Sequence, residues 1–175
     1  MRKSRGDTII EVILAVAVFS LVAVGAMSIM NNGVAMAQRS LEITLVRQQI
    51  DAQAEMLRFV SDSNAELWAD LRANHLNASA QSILDSTTCP EQSGLGNWFA
   101  LRPVGSSLAK IEGTNYSAAP ETFARIRDGR AEGLSVQLVA IDGGDAYDAY
   151  IQACWSGLGT STPMTMGTIV RLYGA

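Results

Sequence analysis

Asp7-Thr8-Ile9-Ile10-Glu11-Val12-Ile13-Leu14 opens a run that stays apolar as far as Met30. From Val12 onward only Ser20, Gly25 and Ser28 interrupt it. About 20 residues of helix cross the hydrocarbon core of a bilayer, and this run is long enough to do so. Arg2, Lys3 and Arg5 precede it, which predicts a cytoplasmic start and an exported remainder. A secretory signal peptide is the competing reading, since it too joins a basic start to an apolar core. It closes, however, with a small-x-small cleavage site after roughly 7–15 apolar residues. Here the run is longer, and Val34-Ala35-Met36-Ala37 is a weak candidate for such a site.

Glu11 is out of place at the edge of a segment built for lipid. A carboxylate costs roughly 2.5–3.5 kcal/mol at the bilayer centre and less near the surface. Either Glu11 lies in water at the interface or a cation meets it. Its surroundings, Arg5-Gly6-Asp7-Thr8-Ile9-Ile10-Glu11, resemble the cleavage and methylation motif of type IV prepilins and type II secretion pseudopilins. In that family a short basic leader ends in Gly, a membrane peptidase cuts after it, and the fifth residue of the mature chain is Glu. Gly6 and Glu11 match both positions, and Thr8-Ile9-Ile10 matches the family's Thr-Leu-Ile run. Asp7 departs from it, since the family usually has an N-methylated Phe just after the cut. The resemblance implies cleavage between Gly6 and Asp7, with N-methylation of Asp7 left open. It also implies pairing of Glu11 with the freed amine of a neighbouring subunit. It covers only about the first thirty residues.

Beyond Met30 the pattern changes from all-round apolar to amphipathic. Met36, Ile43, Val46, Ile50, Ala54, Leu57 and Val60 recur at helical spacing, while Arg39, Glu42, Arg47, Asp51, Glu55, Arg58 and Asp62 fall mostly off that stripe and read as a solvated face. Arg47 with Asp51, and Arg58 with Asp62, are spaced for surface ion pairs. A helix from Thr8 to about Phe59 would be roughly 78 Å long. Asp62-Ser63-Asn64 reads as a cap for a second helix from Ala65 to about Ala73. His75, the single histidine, reads as a surface residue.

The remainder reads as a head. Residues 77–96 look irregular, with Cys89-Pro90 and Gly94-Leu95-Gly96 as breakers. Strand-like runs cover 97–102, 122–127, 134–141, 146–155 and 166–173, with Asp128-Gly129 and Asp142-Gly143-Gly144-Asp145 as hairpin turns. This predicts an α+β fold: one long N-terminal helix packed on an antiparallel sheet of about four strands. The expected divisions are a leader at 1–6, a membrane-spanning or filament-core helix at 7–30, an amphipathic region at 31–75 and a head at 76–175. Cys89 and Cys154 form an even pair on the exported side and predict a disulfide.

Net charge is -4, and loss of the leader would make the chain more acidic, which excludes nucleic-acid binding by bulk charge. Arg102, Arg125, Arg127 and Arg130 form a small basic group near a turn. The DNA contact that pilins can make would fall there, against the plainer reading of a solvated hairpin. Asp142, Asp145 and Asp148 are the candidate metal ligands, for calcium, although their spacing is not that of a standard calcium loop. An ordinary acidic turn is the competing reading. No cofactor is expected otherwise. No paired Ser and His, phosphate-cradling glycine loop or Cys/His metal spacing occurs, so no enzyme is expected.

The resemblance implies a structural subunit, major or minor, of a type IV pilus serving adhesion, twitching motility or DNA uptake. A secretion or competence pseudopilin shares the same motif. The alternative of another class is a single-pass anchored ectodomain that never polymerises. Implied partners are identical or related subunits, the prepilin peptidase, the pilus assembly platform and the membrane before assembly. The implied location is the cytoplasmic membrane with the head outside, then a cell-surface filament.

Overall fold

The computed structural model describes residues 7–80, 88–118, 120, 122–141, 146–157 and 160–173. Two compact units are present, Met1–Arg39 and Ser40–Ala175. Helix α1 spans Asp7–Ser63 and α2 spans Ala65–Asn74. The first proline of the chain is Pro90, so no ring breaks α1. It ends where Asn64 leaves helical geometry and its side chain accepts the Leu67 N–H at 3.1 Å, capping α2. Such a cap is worth about 1 kcal/mol. Both helices therefore appear where periodicity and capping residues placed them.

Within the second unit, α1 buries Glu42, Val46, Ile50, Gln53, Ala54, Leu57 and Val60, one line at helical spacing. Met36, which spacing also put on that line, is exposed. Trp68 and Leu71 of α2 join the same core. Each large apolar side chain buried in it contributes about 1.5–3 kcal/mol. Arg58 pairs back to Glu55 rather than forward to Asp62, whose carboxylate accepts the Ser61 hydroxyl instead.

Among the described residues the strands are β1 (Leu76–Asn77), β2 (Ala100–Val104), β3 (Ser107–Ile111), β4 (Tyr116–Ser117), β5 (Arg125–Arg127), β6 (Arg130–Glu132), β7 (Leu134–Ala140), β8 (Ala146–Trp155) and β9 (Met164–Tyr173). The main sheet has the order β1-β7-β8-β9. Strands β7, β8 and β9 form the expected antiparallel meander, but β1 pairs with β7 in parallel. Of the expected antiparallel sheet of about four strands, the runs at 134–141, 146–155 and 166–173 thus lie together, while those at 97–102 and 122–127 fall in other sheets and the unforeseen β1 takes the remaining place. Two residues are too few to show an alternation, so β1 left no pattern to read.

The β2–β3 hairpin and the three-stranded sheet β4-β6-β5 lie outside the expected meander. The run at 97–102 is displaced: Phe99 forms only a bridge to Val136, and the strand proper starts at Ala100. The Asp128-Gly129 turn is present, with φ 50° and 77°, the left-handed pair that joins two strands by two residues. Strand β7 is covered on both faces: Leu134, Val136 and Leu138 face one side, while Ser135 and Gln137, equally buried, face the other. Gln53 bonds the backbone of Leu101 twice, through Nε2 to the carbonyl (2.7 Å) and Oε1 to the N–H (2.8 Å), tying α1 to β2.

Candidate functional site

The helix of the first unit has an unusual surface. Large apolar side chains from Ile9 to Val34 are exposed throughout, with Leu21 and Ile29 each at 75 %. It is the one helix among the described residues long and apolar enough to cross a membrane, with a window of mean hydropathy 2.6. The Ser20 hydroxyl donates to the Val16 carbonyl at 2.8 Å, which satisfies it within the helix. Open space surrounds Gly25 and Gly33.

Glu11 is exposed on this surface, and among the described residues nothing bonds its carboxylate. An exposed apolar helix with a carboxylate at this position can rest against lipid with the acid at the interface. It can equally pack against other helices that bring a cation. Asp7 is the first residue described in α1, and Gly6 lies outside the described residues.

In the second unit Cys89 and Cys154 form the expected disulfide, with Cα atoms 5.5 Å apart. It joins the loop before β2 to the end of β8. The backbones there are tightly packed: Gly133 has φ +64°, and a Cβ at that position would collide with the Cys154 carbonyl and the Pro120 ring. Asp142 and Asp145 lie outside the described residues. Asp148, the third candidate calcium ligand, has both carboxylate oxygens bonded to Arg171, at 2.9 and 3.0 Å. That guanidinium holds its carboxyl below the usual carboxylate range. The pair gives Asp148 a structural partner between β8 and β9. Among the described residues no cluster of His, Cys, Asp and Glu is placed to hold a metal.

The basic group is largely compensated. Arg125 pairs with Glu132 at 2.8 Å and lies over the Phe123 ring, and Arg127 pairs with Asp128 at 3.2 Å. Arg102 approaches the turn at Gly129.

Two polar positions differ from their sequence reading. Glu42 is only 6 % exposed, not on a solvated face, and its Oε2 accepts the Trp155 indole N–H at 3.2 Å. The spacing from Glu42 to Val46 to Ile50 carried that signal. His75 is likewise buried, at 5 % exposure, rather than on the surface. Its Nε2 lies 2.7 Å from Glu112 Oε2, and Lys110 Nζ reaches the same oxygen at 3.0 Å and Asp70 at 2.7 Å. Hydrogen bonding from Lys110 holds the Asp70 carboxyl low. For Glu112, burial pushes upward, but Lys110 and His75 outweigh it and the net direction is down. For Lys110, burial pulls downward, but the two carboxylates prevail and the ammonium is held up. Sequence reasoning missed this cluster because its members come from α2, the residue after it and the β3 region.

No family model, no characterised protein and no solved structure matches the chain.

Proposed function

We propose that this chain is a type IV pilin-like subunit, cut between Gly6 and Asp7 and assembled into a filament through its N-terminal helix. One observation carries the reading: Glu11, five residues after a glycine that ends a basic leader, stands unpartnered on a helix whose apolar side chains are exposed on all sides. Burying that surface against copies of itself removes the apolar side chains from contact with water or lipid. It also places the carboxylate where the amine freed by cleavage of a neighbour can meet it. The positive end of the neighbour's helix adds to the attraction. Once the pair is buried, removing one partner strands a charge, at about 3–5 kcal/mol. Register between subunits follows from that penalty.

The head then stands outside the membrane on the amphipathic part of α1, stapled by a disulfide suited to an oxidising compartment. A secretion or competence pseudopilin uses the same N-terminal physics. Imaging of sheared filaments against short envelope-bound ones separates the two.

Glu11→Ala tests the reading. The wild-type chain is expected in the sheared filament fraction, and the variant is expected to remain in the membrane at equal expression. A variant that enters filaments as well as the wild type would remove the role given to Glu11.

A further inference from the structure

Once Gly6 and the residues before it are removed, the chain from Asp7 to Gln38 brings two acids, Asp7 and Glu11, and no Lys, Arg or His. The freed amine is its one cation. We propose, resting on the reading above, that the neighbour whose amine meets Glu11 is a related subunit with an uncharged first side chain, not an identical copy, and that this chain is a minority component of the filament.

Covalent structure supplies the first step. The amine and the β-carboxyl of Asp7 hang from the same Cα, so the amine of each copy always has its own acid beside it. Helix α1 starts at Asp7 and puts Glu11 four residues on, one turn away, where like charges repel. Glu11 itself is exposed, with no partner bonded to its carboxylate among the described residues, and draws its cation from outside the copy.

Charge then decides between partners. In a run of identical copies every junction would bring together one amine, the Asp7 beside it and the Glu11 of the next copy: two carboxylates on one cation. Enclosed by side chains such as Ile9, Ile10, Val12 and Ile13, the surplus carboxylate is an uncompensated buried charge. The helix dipole offers roughly half an elementary charge there, less than the surplus. Arg39, the next cation along α1, is roughly 40 Å beyond Glu11. A neighbour shifted by the one turn that brings its amine to Glu11 leaves its own helix cations about as far away.

A neighbour whose first side chain is uncharged removes the surplus. Its amine meets Glu11 one to one, and the amine of this chain stays with Asp7. A surplus remains only where that amine faces another subunit's carboxylate, once per copy of this chain. The filament therefore accommodates this chain at isolated positions and not in runs.

Filament assembly with this chain as the sole prepilin tests the proposal, in cells that hold a prepilin peptidase and an assembly platform. The wild-type chain, Asp7→Asn and Asp7→Ala are compared at equal expression. Quantitative mass spectrometry of sheared filaments reads the yield, and the N-terminal peptide of each chain reports cleavage. All three are expected to be cut after Gly6, and both variants to give about tenfold more filament than the wild type or better. In its native cells the wild type should be outnumbered in sheared filaments by a subunit without an acid at its first position. Equal yields from wild type and variants, or native filaments composed mainly of this chain, would overturn the proposal and leave the pilin reading standing. A wild-type chain left uncut at Gly6 would overturn both.

Discussion

In the early part of α1 apolar side chains point in every direction and stay exposed, while between Glu42 and Val60 all the large ones but Phe59 lie on or beside one line and are buried or partly buried. The later part has its partner within the chain: Val46, Leu57 and Val60 share a core with Leu134, Val136, Ile151 and Trp155 of the sheet. The earlier part has no such partner among the described residues. The hydrophobic effect acts equally on both, and the exposed run is long and apolar enough to cross a membrane. A single helix thus carries two apolar surfaces, one covered by folding and one left exposed, which the proposed reading gives to a membrane or an assembly.

That contrast predicts where substitutions will and will not be felt. The largest effect is expected from the staple. Replacing Cys89 and Cys154 by Ser should lower head stability by about 4 kcal/mol in the chain-entropy model, read by denaturant unfolding followed through tryptophan fluorescence. Membrane extraction of the chain should be unaffected, because the bond lies wholly in the second unit. A loss below about 1 kcal/mol would mean that the loop is held by its other contacts.

Leu57→Ala against Leu21→Ala tests the contrast itself. Leu57 is fully buried, and truncation should cost the head about 3 kcal/mol. Leu21 is exposed, and the same truncation should change head stability by less than about 0.5 kcal/mol. Equal losses from the two would break the division between a completed and an uncompleted interface.

The smallest effect is expected from pH. Asp70 and Glu112 are held below their ordinary values, so their contribution is present above about pH 4 and fades as pH falls through the lowered values. Lys110 is held up, so its contribution is complete below about pH 10 and fades as pH rises through the raised value. The side chains of Asp70 and Glu112 are 37 % and 46 % exposed, so screening keeps each pair under about 1 kcal/mol. Unfolding midpoints should therefore stay flat across neutral pH and fall at both ends. Glu112→Gln should flatten the acid limb, and an unchanged limb would move the effect to Asp70 and Asp148, the other carboxyls held low.

What could be read in the sequence was local. Period placed the two helices, Asn64 marked the break between them, Asp128-Gly129 marked its turn, and alternation outlined β7 to β9. Glu11 was visible because it interrupts a long apolar run. The β2–β3 hairpin and parallel β1 were not legible, since Ser107 to Ile111 is only weakly patterned and Leu76-Asn77 is two residues long. Nor were the polar ties that cross the fold. Glu42 meets Trp155 across 113 positions, Gln53 meets Leu101 across 48, and His75 meets Glu112 across 37. Spacing along the chain holds no record of such partners, although Glu42 and Gln53 sat at stripe positions where a polar residue needs one.

Intact mass of the chain extracted from membranes bears most directly on the uncompleted interface. A polypeptide starting at Asp7, with or without one added methyl group, is the expected result, since the amine proposed to meet Glu11 would exist only after cleavage at Gly6. A polypeptide still carrying Met1 to Gly6 in otherwise native filaments or membranes would contradict it.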